Sequence, residues 1–367
     1  MLYKNFNNLA ISSLGMGCMR LPKKEDGTID YEKTEEIIEY AYSHGINYYD
    51  TAFPYHDGES ELVIGKILKK YDRDSFYLAT KMPIWEVKEA SDVEKIFNKQ
   101  LEKCGVEYFD FYLCHAMNKN RHQTYIELKA YEFLERMKKE GKIRFLGFSF
   151  HDDYKGLEEI VNYKSWDFAQ IQFNYLDAKL QNASKLYDLL KEKNIPSIIM
   201  EPVRGGFLAN LSEEHASKLK ALRPNSSIAS WAIRYSIHHE NNFVTLSGMS
   251  SMEQIIDNIN TCTNFEYLTD EELKVLDDLS TDIIGENYIP CTACNYCVKC
   301  PKQIKIPVVF QRYNEYQIHK NKEYFIERIK DFNISDCVKC NYCVSQCPQH
   351  INIPVELSKI LSIKESN

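Results

Sequence analysis

Eight of the twelve cysteines in this 367-residue chain lie between Cys291 and Cys347, in two runs that share a pattern. The first reads CTACNYCVKCP and holds Cys291, Cys294, Cys297 and Cys300; the second reads CVKCNYCVSQCP and holds Cys337, Cys340, Cys343 and Cys347. Three cysteines at two-residue spacing can wrap one face of a cuboidal iron–sulfur cluster, each thiolate reaching a different iron. A fourth cysteine followed by proline is the spacing with which one run lends its last thiolate to the neighbouring cluster. On this logic Cys291, Cys294, Cys297 and Cys347 hold one 4Fe–4S cluster. Cys337, Cys340, Cys343 and Cys300 hold the other. Zinc sites take cysteines as separated pairs, four ligands per ion, which tandem triplets do not supply. The first run is one residue shorter than the second between its last two cysteines.

A second set of residues suits a different reaction. Hydride addition to a carbonyl leaves an alkoxide that must be protonated. A phenol is a weak acid for this task, and a nearby ammonium favours its ionised form. Tyr55 as general acid/base, Lys81 as its tuner and Asp50 as the anchor of Lys81 fit the need. His115 would orient the carbonyl oxygen or assist proton transfer. The same set run backwards oxidises an alcohol. Singly these residues carry little weight: with 25 tyrosines in the chain, one Tyr is ordinarily packing. Their joint placement at successive strand ends is the argument.

The elements that must position them alternate through the first 280 residues. MGCM, GINYYDTA, FYLATKM, YFDFYLCH, KIRFLGFSF, FAQIQFNY, IPSIIM and NFVTLSG read as strands, with helical segments between them. VEKIFNKQLEKCG places Val93, Ile96, Phe97, Leu101 and Cys104 on one helical face. A helix is expected around Tyr125–Lys139, ending at Gly141. Ser91/Glu94, Ser250/Glu253 and Thr269/Glu272 read as capping boxes. About eight βα units predict a closed (β/α)8 TIM barrel, and no G-x-G-x-x-G follows the first strand, which disfavours an open doubly wound sheet. Barrel chemistry sits at the carboxy ends of the strands, where Asp50, Lys81, His115, Ser149, Gln170 and Met200 fall.

DTAFPYHDGESELVIG, from Asp50 to Gly65, resembles the aldo-keto reductase signature D-T-A-x-x-Y-G-x-S-E-x-x-x-G, with His56 and Asp57 as two extra residues. Lys81 in LATKM and His115 in DFYLCHAMN match that family's other two catalytic positions. The GFS segment with Ser149 and QIQFNY with Gln170 match further family segments. The resemblance covers residues 1 to about 280 and implies an NADPH-type (NAD(P)H) cofactor in the barrel. Several cofactor positions depart from it. Phe150 stands where an Asn commonly follows the Ser, Met200 where an aromatic commonly stacks, and SGMSSMEQ carries no cation for a 2′-phosphate. Gly248 before a Ser-capped helix still offers free N–H groups to a phosphate, with Ser250 at its start. Gln254 and Asn258 match residues used near the adenine, and Arg204 in PVRGG adds a charge. The tail resembles the helical dicluster ferredoxin module, given the long helix-like spacer Lys302–Asp336.

The cysteine break marks two domains: a barrel over 1–280 and a small, mainly α-helical dicluster ferredoxin-like domain over 281–367, joined by a linker IIGENYIP. A net charge of −8 disfavours nucleic acid as a partner. No 18-residue apolar stretch and no leader are present, so the expected setting is cytoplasmic, where clustered cysteines bind metal. The expected function is reduction of a small carbonyl (or oxidation of an alcohol) with the clusters as an electron relay, serving a possible redox partner protein. Clusters pass single electrons and nicotinamide passes a hydride, so a flavin such as FMN is the expected converter. The alternative is an electron-transfer or scaffold subunit of a larger redox complex, with a non-catalytic barrel.

Overall fold

Along each core strand one residue faces the barrel interior and the next faces the helices outside. The computed structural model describes residues 1–284, 287–319 and 321–365. Strands β1 (Tyr3–Phe6) and β2 (Leu9–Ser12) form an antiparallel hairpin. They are followed by β3 (Leu14–Gly17), β4 (Tyr48–Asp50), β5 (Tyr77–Met82), β6 (Phe109–Met117), β7 (Ile143–Phe150), β8 (Phe168–Gln172), β9 (Ser197–Met200) and β10 (Asn242–Ser247). β3 to β10 close into a barrel in chain order, β10 returning to pair with β3. This is the eight-stranded parallel barrel expected from the sequence.

Tyr48, Ala79, Phe111, Leu113, Phe168, Ile198 and Val244 pack together in the interior. Tyr49, Leu78, Tyr112, Leu146, Phe148, Ala169 and Ile199 face outward into the helical layer. The hairpin plugs the amino end: Phe6 stacks on Phe243 at 4.2 Å and meets Phe145 edge-on at 4.9 Å. One step of two residues beyond the interior layer brings Asp50, Lys81, His115, Ser149, Gln170 and Met200 to the opposite end.

The helix Ala90–Cys104 buries Val93, Phe97 and Cys104 and ends at Gly105 with φ 63°. Its cap is Glu89 with Asp92, not Ser91 with Glu94. Likewise Ser251, not Ser250, caps Met252–Thr263. In both places the serine read as a cap is displaced by one or two residues from the true N-cap. Thr269 and Glu272 do exchange both capping bonds, at 2.9 and 3.3 Å. The helix expected around Tyr125–Lys139 is two helices, Lys119–Glu127 and Ala130–Lys139, broken where Lys129 takes φ 52°. The apolar period runs through the break, which hides it.

The helix Asp270–Ile284 packs on Tyr175, Leu176 and Leu208 beside the barrel. Of the linker IIGENYIP, residues 285 and 286 lie outside the described residues. The tail is helical, with Ile306–His319, Lys322–Ile329, Tyr342–Gln346 and Ile353–Glu365. Val309, Phe310, Phe325, Ile329, Leu357 and Ile360 form its own core, which Cys297 and Cys343 join. No described helix is long and apolar enough to cross a membrane.

Candidate active site

The carboxy ends of the strands surround a cavity of about 300 Å³ lined by Asp50, Tyr55, Lys81, His115, Gln170 and Met200. Lys81 Nζ donates to Asp50 Oδ1 at 2.6 Å and to the Thr51 carbonyl at 2.7 Å, with its side chain 1% exposed. The ammonium lies 4.8 Å from the centre of the Tyr55 ring. Burial, aided by the charge of Asp50, holds the Tyr55 phenol well above its ordinary range. This is opposite to the lowering expected from Lys81. The reason is that burial of the phenolate dominates, and the Asp50 carboxylate beside the ammonium adds to it. Tyr55 therefore holds its proton until a stronger base forms beside it. Burial also raises the Asp50 carboxyl, against the pull of Lys81.

The loop that delivers Tyr55 explains the signature letter by letter. His56, Asp57 and Gly58 take φ of 53°, 55° and 91°, a left-handed turn that absorbs the two extra residues. His56 Nε2 accepts from the Leu21 amide at 3.1 Å and ties the turn to the loop after β3. Thr51 Oγ1 meets Ser60 Oγ at 2.9 Å, and Ser60 donates to the Cys18 carbonyl at 3.1 Å. Glu61, fully buried, accepts from Thr80, Gln100 and Lys103 at 2.7, 2.7 and 2.9 Å. A Cβ on Gly65 would stand 2.4 Å from the Cys104 carbonyl oxygen, so only glycine lets the two helices meet there.

His115 is 2% exposed. Its ring lies 4.9 Å from that of Trp85 and 5.9 Å from that of Tyr55. Burial, with Lys81 and Arg121 adding to it, lowers its pKa well below the ordinary value and keeps the imidazole neutral. Nδ1 has no partner among the described residues. Nε2 lies 3.4 Å from the hydroxyl of Tyr296, which belongs to the first cysteine run. Thr292, Cys294 and Tyr296 of that run all line the barrel cavity. Arg20 pins the run in place, donating to Glu201 at 2.8 Å and to the carbonyls of Thr292 and Ala293 at 3.1 and 3.4 Å. Glu201 also accepts from the Gly205 amide at 2.6 Å. Gly205 has φ 64°, and a Cβ there would sit 2.6 Å from the Thr292 carbonyl oxygen. The second run touches the barrel too, through Gln349, which donates to Gln172 at 3.0 Å.

The other residues expected to hold a cofactor fall as follows. Ser149 Oγ accepts from the Ala116 amide at 2.7 Å, leaving its hydroxyl proton to donate elsewhere. Gln170 Nε2 approaches Met200 Sδ at 3.6 Å, and its buried Oε1 has no partner among the described residues. Gly248, Ser250, Gln254 and Asn258 line the same cavity. Gln254 Oε1 accepts from the Ser250 amide at 2.7 Å, Ser250 Oγ donates to the Arg20 carbonyl at 2.6 Å, and Asn258 donates to Ser247 at 3.0 Å. An unpartnered carboxamide oxygen beside a free hydroxyl fits a nicotinamide carboxamide.

Arg204 is not with them. Its side chain is fully buried, paired to Asp177 at 2.8 Å and bonded to Tyr288 at 2.7 Å. Asp177 also accepts from Gln172 and Asn174, both at 2.6 Å. The charge read from the PVRGG segment is thus spent inside the protein. Arg204→Met should cost about 3–5 kcal/mol of stability, because it strands a buried carboxylate. Equilibrium urea unfolding would show it as a lowered midpoint.

The cysteine thiols stand in two sets. Cys291, Cys294, Cys297 and Cys347 line one small cavity together with Pro348. Cys343 interacts with Cys337, Cys340 and Cys300. Cys297 and Cys343 interact with each other, so the two sets adjoin. Among the described residues no three such side chains converge closely enough for one ion. Thiols spaced around a cavity fit a cuboidal cluster, each serving a separate iron.

Residues 13–281 match the Aldo/keto reductase family model. The chain belongs to the aldo/keto reductase family. Residues 290–364 match a second model, the 4Fe-4S dicluster domain. An NADH-specific methylglyoxal reductase of Escherichia coli (strain K12) is 28% identical over 221 residues, 55% of this chain and 66% of that one. The uncharacterized oxidoreductase YqkF of Bacillus subtilis (strain 168) is 26% identical over 300 residues, 74% of this chain and 93% of that one. The holo structure of an aldo-keto reductase from Bacillus halodurans superimposes with a TM-score of 0.61 at 26% identity, over 74% of this chain and 93% of that chain.

Four site residues of this aldo/keto reductase were not read from its sequence: Arg20, Glu201, Cys294 in its role as a wall of the barrel cavity, and Tyr296. The one local signal was the repeated CNYC, which placed a tyrosine between two cysteines of each run without saying where it points. Burial also depresses other histidines: His56 and His239 to about 4, and His151 to about 3. The unfolded chain binds protons at these sites below about pH 6.5 while the folded chain does not. Stability is therefore full above that pH and falls as pH drops toward 4. The melting temperature, followed by circular dichroism, should decline from pH 7 to pH 5. His239→Asn should flatten that slope.

Proposed function

We propose that the barrel of this oxidoreductase reduces a small carbonyl compound, or oxidises the matching alcohol, with Tyr55 as general acid/base. The observation that carries the reading is a protonated, buried phenol facing a cavity beside an Asp50–Lys81 pair and a neutral His115. A bound nicotinamide supplies the hydride. Gln170 and Ser149 would hold its carboxamide, and the turn from Gly248 to the helix at Met252 would receive its phosphates. His115 lines the cavity beside Tyr55, where the carbonyl oxygen is oriented. As that oxygen gains charge, Tyr55 delivers its proton, and the Lys81 ammonium stabilises the phenolate left behind. The methylglyoxal reductase among the relatives makes methylglyoxal with NADH the first substrate pair to try.

Cys291, Cys294, Cys297 and Cys347 are proposed to hold one 4Fe–4S cluster, and Cys337, Cys340, Cys343 and Cys300 the other, the pair acting as an electron relay. Cys294 lines the catalytic cavity, and Cys340 is exposed. The relay thus has one end at the site and one at the surface, where a redox partner protein can dock. A flavin such as FMN in the cavity is a second reading, favoured by Cys294 sharing the cavity with Tyr55.

The test is anaerobic purification with intact clusters, followed by turnover of methylglyoxal with NADH or NADPH. Substrate-dependent oxidation of either nucleotide is expected. A retained flavin, with no nucleotide oxidation until an electron carrier is added, would replace the first reading by the second. Neither activity, across a panel of aldehydes, ketones and alcohols, would leave the barrel a scaffold.

A further inference from the structure

Both cysteine runs contain the tetrapeptide CNYC, so the same tyrosine occurs twice, as Tyr296 and Tyr342. The two copies part ways. Tyr342 is 39% exposed at the surface. Tyr296 reaches into the barrel, where it lines the catalytic cavity and brings its hydroxyl 3.4 Å from His115 Nε2. Nothing in the packing of a cluster loop requires this, since the second run does without it.

The tautomer of His115 decides what the hydroxyl can do. Nδ1 is buried with no partner among the described residues. A proton on Nδ1 would be a buried N–H with no acceptor, whereas one on Nε2 can be donated to the Tyr296 oxygen. The ring proton therefore sits on Nε2 and is donated to the Tyr296 oxygen. The proton of Tyr296 is then free to point into the cavity that Tyr55 also faces.

We propose that Tyr296 is a second hydroxyl donor to the substrate oxygen, contributed to the barrel's active site by the cluster-binding loop. The proposal rests on the carbonyl reading above. The hydride comes from a reduced nicotinamide. The C–H bond forms as the carbonyl π bond breaks, and the electron pair goes to oxygen. Tyr55 transfers its proton to that oxygen. Tyr296 donates a hydrogen bond to it and keeps its own proton. Tyr296 lies between Cys294 and Cys297, so the hydroxyl that reaches the site belongs to the cysteine run itself.

The experiment compares Tyr296→Phe with Tyr342→Phe in cluster-replete protein. Iron content and the Kd for NADH are measured on each. Tyr296→Phe should lower kcat for methylglyoxal about 10²-fold, the usual cost of one oxyanion donor. Iron content and NADH affinity should stay at wild-type values, and Tyr342→Phe should behave as wild type throughout. A Tyr296→Phe variant whose kcat stays within about two-fold of wild type overturns the proposal. So does one that loses iron or NADH affinity in proportion to its activity, which marks a packing role. If the wild-type protein turns over no carbonyl, the earlier reading falls, and binding of benzoate decides Tyr296 instead. Its carboxylate stands in for the alkoxide. Binding weakened by about ten-fold or more in Tyr296→Phe, read by calorimetry, supports the proposal, and unchanged binding overturns it.

Discussion

Tyr55→Phe is expected to lower the rate of carbonyl reduction by about 10²–10⁴-fold, the range for loss of a positioned general acid. The ring is 9% exposed and its place over the Lys81 ammonium does not need the hydroxyl. The variant should therefore fold, retain its iron and bind nucleotide as the wild type does. The loss should fall on kcat rather than KM, since the proton is needed only as the oxygen gains charge. Because burial holds the phenol protonated well past its ordinary range, the wild-type reductive rate should not decline across pH 7 to 9 through Tyr55. Stopped-flow nucleotide oxidation in both proteins measures all of this. Equal rates would instead favour the scaffold alternative.

The second large effect separates the two clusters. Under the proposed pairing, Cys347→Ser removes a ligand from the cluster beside the barrel, and Cys300→Ser removes one from the cluster at the far side. Each variant should fall from about eight to about four irons per chain. Their consequences for catalysis should differ. Cys347 shares a cavity with Cys294, which also walls the catalytic cavity, so its loss should disturb the Thr292–Tyr296 segment and depress turnover. Cys300 interacts instead with Cys343 and the second run. Its replacement should interrupt electron exchange with a partner while sparing nucleotide-driven reduction. Iron and sulfide analysis with paramagnetic resonance of the reduced proteins reads the first point, and steady-state kinetics the second. If Cys300→Ser and Cys347→Ser proved interchangeable in their effect on turnover, the pairing across runs would be wrong.

What could be read from the sequence depended on whether a residue's partners are local. The period-two pattern of FDFYLCHAM sends Phe111 and Leu113 inward and therefore carries His115 to the catalytic end, which the structure repeats for Asp50 and Lys81. The eight strands and the helical spacer between the cysteine runs were legible for the same reason. Tyr296 was not, because its partner is 181 residues away, and neither was the bridge from Arg20 to Glu201, which spans the same separation. Arg204 was misread as a cofactor charge because its counterion Asp177 comes from a different loop. The direction of the Tyr55 shift was misjudged because the full burial of the phenol, which outweighs the pull of Lys81, is a product of tertiary packing. Ser91 and Ser250 failed as caps because composition near a helix start does not fix which residue leaves the helix.

The contact between the tail and the barrel also imposes an order of events during synthesis. β10 and the helix Asp270–Ile284 complete the barrel before either cysteine run is made. Under the proposed pairing, the set at Cys291, Cys294 and Cys297 then waits for Cys347, about 50 residues and some 3–10 seconds later at ribosomal rates of about 5–20 residues per second. During that interval the Arg20 contacts to Thr292 and Ala293 hold the segment that carries Tyr296 against the barrel. The nascent chain passes through a stage at which all barrel strands are made but neither cysteine run is complete. Under the proposed ligation, supply of iron and sulfide then follows completion of the barrel in the order of assembly.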